Sequence, residues 1–324
     1  MDFRGKTFDL IVSDASVTGD FAQKTGLPAG LKSTTGVVNG NIYRLSFIER
    51  TFLETAVDPN EMAIARALDS VKPTTGSELG KQLVSLINNG TNAQVRSALN
   101  SLGTVGLLSH QEITLASGRK SVSLGLQRLA ERRTSDVCTP REEGNRLMSV
   151  SETVCAYGLA FGGNIKVRGI PGISRTSGDL EGVSTGLDAQ IGDGVVAGIA
   201  FGYTHGTGRG SLGRSSEDSY SGSVNFGYTS GMFGLDLTAG YGDGNVDFTR
   251  NAALPSGTQS INGRAKSRNL FAGAQAGFAV AAGQGFEVRP FLGLVHVNGR
   301  FKAFSERAAQ GLGLTVQRQQ FEST

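Results

Sequence analysis

Residues 219–228 read Ser-Tyr-Ser-Gly-Ser-Val-Asn-Phe-Gly-Tyr, and this stretch decides the fold class. Its even positions include Tyr220, Val224, Phe226 and Tyr228, whereas every odd position carries a small or polar residue. Successive side chains of a β-strand point to opposite faces of the sheet. The stretch therefore predicts a strand with one apolar and one polar face.

The same alternation recurs from residue 154 to the end of the chain, in seven full strands and the start of an eighth. The other strand segments lie at about 155–167, 183–191, 195–204, 233–241, 270–278 and 290–298. In the first of them Cys155, Tyr157 and Leu159 share the apolar parity. Ionisable residues fall on the second face of these segments, and we expect Asp188, Asp236 and Lys166 there.

A sheet with one apolar and one polar face fits either a soluble sandwich or a membrane barrel. Tyrosines at the strand ends, such as Tyr203 and Tyr241, and a glycine-rich polar face favour the barrel, whose lumen is wet. The connections favour it too, because 192–194 and 230–231 are tight whereas 204–218 and 242–267 read as long polar loops. Short turns on one side and long loops on the other are typical of membrane barrels.

The first half of the chain has other periods. Residues 1–48 alternate short β-like runs with glycine turns. Asp58 is an expected N-cap, with Pro59 at the first helical position and Glu61 three residues after the cap. Further helical patterns follow, and the longest covers about 109–133, which corresponds to roughly 37 Å of helix.

Composition limits the classes of function. The chain has 324 residues, 47 glycines, only 7 prolines and a net charge of +3, which favours β-structure with many turns over disorder. Basic residues are scattered except for Arg128, Arg132 and Arg133, so no nucleic-acid partner is expected. No apolar run approaches the roughly 18 residues of a membrane helix, and the N-terminus has no export-signal pattern.

Chemistry-bearing patterns are weak. Residues 208–213 spell a G-x-G-x-x-G string in a predicted loop with no following helix, and Gly5, Lys6 and Thr7 form only the tail of a phosphate loop. The three histidines lie in different elements: His110, His205 and His296. We predict no catalytic, cofactor-binding or metal-ligating residue, and no cofactor. Cys138 and Cys155 allow one disulfide, and two unpaired thiols remain the alternative.

Several motifs resemble one family. The run EGVSTGLDAQIGDGVVAGIAFGYT at 181–204 resembles the second and third strands of the type V autotransporter β-domain, including its turn and closing Gly-Tyr. Residues 290–294 resemble the family's P-x-L-G-L strand, and residues 304–306 its aromatic-x-Glu motif. Upstream, 5–21 resembles the end of a passenger β-helix, and 58–70 the helical linker that follows.

The resemblance implies a mainly β fold, a partial transmembrane antiparallel β-barrel preceded by a short helical linker region and the last rungs of a β-helix. We expect three parts: the junction at 1–50, the linker at 51–135 and an incomplete barrel at 136–324. The implied function is export of a passenger to the cell surface from the outer membrane, without enzyme activity. Implied partners are the outer-membrane bilayer, the barrel assembly machinery and the chain's own passenger segment.

Family barrels have twelve strands and end in an aromatic residue, so we expect this chain to be a truncated fragment. The alternative is a soluble β-rich adhesin or surface-module remnant without transport activity.

Overall fold

We describe the chain from a computed structural model, which covers residues 6–19, 31–71, 78–103, 108–134, 146–149, 153–167, 176–210, 213–281, 287–308 and 313–324. The chain forms two compact units. The first consists of 1–105, 251–261 and 308–312, and the second of 106–250, 262–307 and 313–324.

The first unit opens with a three-stranded sheet. Its strands are β1 (Thr7–Val12), β2 (Leu31–Val38) and β3 (Ile42–Glu49), in the order β1-β3-β2. The β-like runs at 8–12, 37–38 and 42–48 are confirmed as strands, whereas the run at 17–21 is not: 17–19 form no strand, and 20–21 lie outside the described residues. All the pairing is antiparallel, whereas rungs of a β-helix pair in parallel, so the expectation of β-helix rungs is wrong for these strands.

Three helices follow in the same unit: α1 (Pro59–Val71), α2 (Glu78–Asn89) and α3 (Asn92–Leu102). Asp58 caps α1 as predicted, since its Oδ1 accepts the backbone N–H groups of Asn60 and Glu61, both at 2.9 Å. The Glu61 carboxylate accepts the N–H of Val57 at 2.8 Å, one residue before the cap. Thr91 and the third residue after it form a capping box at α3.

The core of the first unit is apolar and draws on distant parts of the sequence. Most of its residues come from the three helices, and the end of β9 and the start of β10 supply three more. The buried members are Phe52, Ala65, Leu83, Leu86, Ile87, Val95, Ala98, Leu99, Leu102, Ala252, Leu254 and Ile261. A hydrogen bond of 2.9 Å runs from the Ala253 N–H to the Ser101 Oγ.

The second unit contains the longest helix, α4 (Leu108–Thr134), which confirms the predicted one. Among the described residues its main sheet has nine antiparallel strands: β4 (Arg146–Ser149), β5 (Val154–Val167), β6 (Thr176–Gly192), β7 (Val195–Gly210), β8 (Gly213–Ser230), β9 (Phe233–Leu254), β10 (Gly257–Phe278), β13 (Phe291–Phe301) and β16 (Gln319–Ser323). Two short pairs accompany it: β11 (Val280–Ala281) with β12 (Glu287–Val288), and β14 (Phe304–Ser305) with β15 (Thr315–Val316).

Neighbours in the chain are neighbours in this sheet, whose order is β16-β13-β10-β9-β8-β7-β6-β5-β4. The two tight turns are confirmed, and each uses a glycine with positive φ: Gly194 at +70° and Gly231 at +56°. The predicted long loops are wrong. Strands β7 and β8 pair from Val195–Tyr228 out to Gly210–Gly213, and β9 continues to Leu254.

A buried ion pair in this unit joins β9 to the residue that follows β14. The Arg250 guanidinium donates two hydrogen bonds to Glu306, at 2.8 and 2.6 Å, and both side chains are buried. The Leu314 N–H also donates to Glu306, at 2.9 Å. Glu306 belongs to the aromatic-x-Glu motif, whose Phe304 packs edge-on against Phe248.

Cys155 is fully buried in β5 and is disulfide-bonded. Cys138 lies outside the described residues.

Candidate functional site

The candidate site is the face of the nine-stranded sheet that contacts α4, called the inner face below; the opposite face is the outer face. Helix α4 has 27 residues, about 40 Å at 1.5 Å per residue. Its apolar residues contribute to two clusters on the inner face. Val122 and Leu126 pack with Phe271 and Val297, and Leu124 packs with Tyr157, Leu159 and Ala200.

Buried ion pairs hold the C-terminal end of α4 to the inner face of the sheet. Arg128 Nε lies 2.7 Å from Asp188 Oδ2, and Arg132 Nε lies 2.7 Å from Asp188 Oδ1. Arg133 pairs with Asp236. The side chains of all five residues are at most 7% exposed. Cations at a helix C-terminus also interact favourably with the helix dipole.

Small hydroxyl groups make further polar contacts between α4 and the inner face. The Thr114 hydroxyl donates to the buried carboxylate of Glu217 at 2.6 Å, and Ser267 donates to its other oxygen at 2.6 Å. Ser117 and Ser219 hydroxyls lie 3.2 Å apart. The inner face therefore binds α4 through hydrogen bonds along the helix as well as through ion pairs.

Glycine permits this close packing on both sides. A Cβ on Gly125 of α4 would lie 2.7 Å from the Thr238 hydroxyl. On the inner face of the sheet, a Cβ on Gly273 would overlap the Val122 side chain. The glycine-rich polar face predicted from the sequence thus makes room for a helix.

The outer face has the opposite character. Leu187, Phe226 and Leu237 are 45%, 40% and 39% exposed. Their chain neighbours on the inner face, Asp188, Asn225 and Asp236, are 3%, 6% and 0% exposed. The predicted division of β6, β8 and β9 into an apolar outer and a polar inner face is confirmed.

Strand β5 departs from the prediction. Tyr157 and Leu159 are buried against α4, so the apolar parity of this strand faces inward. The Arg128 guanidinium lies 4.8 Å from the Tyr157 ring centre. Lys166 has the other parity and is exposed, so its expected place on the polar inner face is wrong. The reason is that α4 itself is partly apolar and takes these side chains as its packing partners.

The three histidines considered in the sequence analysis lie in separate places and do not form a common site. His110 is buried against the Phe248 ring, His205 lies 2.8 Å from Asp218, and His296 lies 2.9 Å from the Thr324 hydroxyl. No group of three potential metal-binding side chains occurs within the described ranges. Residues 208–210 and 213 of the glycine string lie in β7 and β8, with 211–212 outside the described part.

Among the helices that the structure describes, none combines the length and apolar character needed to cross a membrane.

Sequence reasoning found Asp188 and Asp236 but not their partners. The signal was present, since Arg128, Arg132 and Arg133 lie close together near the end of one helical pattern. What the sequence does not contain is the register that brings the end of α4 to the ends of β6 and β9.

Two comparisons relate the chain to known proteins. The translocator domain of autotransporter NalP from Neisseria meningitidis has a TM-score of 0.49 and 17% sequence identity, with 68% of this chain and 69% of that chain covered. No curated protein matches the chain. A family model described as autotransporter beta-domain matches residues 156–324, which is more than half of the chain. The chain therefore belongs to the autotransporter β-domain family, the outer-membrane translocators of type V secretion.

Proposed function

We propose that the nine-stranded sheet is the wall of a transmembrane β-barrel whose outer face contacts lipid and whose inner face holds α4. The observation that carries the proposal is the contrast between the two faces. The carboxyl-bearing side chains Asp188 and Asp236 are buried against α4, whereas Leu187, Phe226 and Leu237 are exposed on the outer face. In water such a surface is costly, while in a bilayer it is the lipid contact that a barrel requires.

The dimensions support this proposal. On β9 the outward positions from Phe233 to Tyr241 are all apolar or aromatic, over nine residues. A tilted transmembrane strand needs roughly 9 to 11 residues. Tyr203 and Tyr220 lie at one end of this band with ring centres 5.3 Å apart, as expected for an interfacial aromatic girdle.

Helix α4 is proposed to be the last segment that follows the passenger into the barrel interior. Its ion pairs to Asp188 and Asp236 support this role, because they fix the helix to the wall without making it a lipid-facing span. We propose residues 1–50 as the junction with the passenger, 51–135 as the linker and 136–324 as the barrel. Partners are the bilayer, the passenger segment and the barrel assembly machinery.

No enzyme activity is proposed. The inner-face carboxylates have partners that explain them as wall contacts: Asp188 and Asp236 face arginines of α4, and Glu217 accepts two hydroxyl hydrogens. Transport and anchoring require no more chemistry than these contacts supply.

The test uses tryptophan as a depth probe, since the chain contains none. We would fold the variants Phe226→Trp and Asn245→Trp into vesicles whose lipids carry bromine on the acyl chains. Both positions lie on the outer face, but only Phe226 lies in the apolar band. Bromine should quench the tryptophan at 226 and leave the one at 245 bright.

Two outcomes contradict the proposal. Equal quenching at both positions would mean that the band does not lie in the hydrocarbon. A chain that stays soluble and monomeric without detergent would favour a soluble surface module instead.

A further inference from the structure

A cluster of four basic side chains lies on the outer face just beyond the apolar band. It consists of Lys266 and Arg268 on β10 and of Arg300 and Lys302 beside β13. Arg268 and Arg300 are direct cross-strand partners, and the Lys302 N–H donates to the Lys266 carbonyl oxygen at 3.0 Å. All four side chains are exposed. We name these residues the basic cluster.

Like charges on directly opposite residues destabilise a sheet, so the pairing of Arg268 with Arg300 has a cost. Only part of the charge is neutralised within the protein. Asp243 binds Arg268 Nε at 3.0 Å, whereas Lys266, Arg300 and Lys302 form no ion pair in the described part of the chain. On the neighbouring strand β16, Glu322 is paired in register with Asn298 rather than with Arg300.

In the rows of residues next to the apolar band, the basic side chains of the outer face lie on β10 and beside β13. In the corresponding rows of β6 and β8 the outer face carries Glu181 and Asp218, which are acidic. Register links these rows through His205, which pairs with both residues. An anion that approaches the band edge is therefore attracted to β10 and β13 and repelled from β6 and β8.

Beside the basic cluster lies a groove of about 460 Å³ that reaches into the apolar band. It is lined by Tyr241, Leu270 and Ala272 together with Arg268 and Arg300. Leu270 is two residues from Arg268, which corresponds to about 7 Å along a strand. The basic side chains and the apolar groove are thus placed to contact the phosphate and an acyl chain of one amphiphile.

We propose that the basic cluster and its groove bind a phosphate-bearing lipid of the outer leaflet. The phosphate lies against Lys266, Arg300 and Lys302, and an acyl chain lies along Leu270 and Ala272. The leaflet follows from the turns, because the tight turns at 193–194 and 231–232 lie at the opposite ends of the strands and such turns face the periplasm in these barrels. This inference rests on the proposed membrane orientation of the sheet.

The experiment compares the full chain with a double variant, Lys266→Gln with Arg300→Gln, which leaves the Asp243–Arg268 pair intact. Each protein is folded into zwitterionic phosphatidylcholine vesicles, and lipid A labelled on an acyl chain is titrated into them. A surface cation contributes about fivefold to the affinity for an anionic lipid. We expect the double variant to bind lipid A about 25-fold more weakly.

The matched control is Arg209→Gln with Arg214→Gln. These residues are register partners on the outer face of β7 and β8, and Arg209 is six residues, about 20 Å, beyond the tyrosine girdle. The control removes the same charge and should retain wild-type affinity. Equal affinity of the double variant and the wild type, or equal loss in the control, would overturn the proposal.

Every protein in this experiment also carries Phe226→Trp, and quenching of this tryptophan in vesicles of brominated phosphatidylcholine is recorded in parallel. Absence of quenching in the protein with the intact basic cluster would refute the membrane orientation itself. Protein that is quenched but does not distinguish lipid A from phosphatidylcholine would refute only the lipid site.

Discussion

Replacing Asp188 by asparagine should release the C-terminal end of α4 from the wall. Asp188 is 3% exposed and lies 2.7 Å from both Arg128 and Arg132, whose side chains are 6% and 1% exposed. The change keeps the shape of the side chain but leaves two buried cations without their carboxylate. Removal of one partner of a buried ion pair costs about 3 to 5 kcal/mol. The released population should therefore rise about a hundredfold to a few thousandfold.

Trypsin reports this population, because α4 contains its own cleavage sites at Arg119, Lys120, Arg128, Arg132 and Arg133. A docked helix is protected, and the cleavage rate follows the open fraction when reclosing is fast. We would measure the rate of cleavage after Arg119 by mass spectrometry, with the protein folded in vesicles.

Two variants separate charge from shape. Asp193→Asn, in an exposed turn, should leave the cleavage rate unchanged. The triple variant Asp188→Leu, Arg128→Met, Arg132→Met should recover most of the protection, since replacing a whole buried ionic group by apolar residues is often neutral or stabilising. Our reasoning would be refuted by an Asp188→Asn protein that is cleaved no faster than the wild type.

Three further predictions concern the band, the helix contact and the N-terminal sheet. Leu237→Arg, in the middle of the band on β9, should lower the free energy of folding into vesicles by about 2 to 4 kcal/mol, measured from urea titrations; an unchanged value would exclude a lipid contact. Gly125→Leu should weaken packing of α4 by about 1 to 3 kcal/mol, read as faster trypsin cleavage than in wild type, and unaltered protection would contradict the close approach. The hydrogen bond from Arg44 lowers the pKa of Asp9 below its ordinary value, so this pair stabilises the sheet above the unfolded pKa of Asp9 and loses its contribution as pH falls through the lowered one. Carboxyl NMR titration should show that Arg44→Gln returns the pKa of Asp9 to the ordinary range; no shift on substitution would argue against the pair.

Alternation predicted the strands best where both faces have a uniform environment. On β8 every inward residue from Ser219 to Asn225 is small or polar and every outward one fits lipid or is glycine, so period two was unambiguous. Strand β5 failed because its inward Tyr157 and Leu159 pack against an apolar residue of α4, Leu124, whereas the inward Ser219 of β8 faces a hydroxyl group of α4. Hydrophobicity alone does not distinguish a lipid neighbour from a helix neighbour.

The strand extensions were missed for a different reason. Residues 242–267 are rich in glycine and polar side chains, a composition typical of loops. In the structure residues 242–250 are held as a strand by the register of β8 with β9, which runs without a break from Ser230–Phe233 to Gly213–Arg250, and 257–267 belong to β10, the next strand of the sheet. Such long-range pairing depends on the neighbouring strand and leaves little trace in the local sequence.

The core shared by α1–α3 and the tips of β9 and β10 has a consequence for the order of folding. Ala252, Leu254 and Ile261 are fully or nearly fully buried among the helical residues Ala65 and Leu99. Part of the apolar surface of the helical segment is buried only by the hairpin of β9 and β10, so the segment reaches its full stability once this hairpin has formed. We therefore expect the linker to become fully stable only after these strands have paired, although it precedes them in the chain.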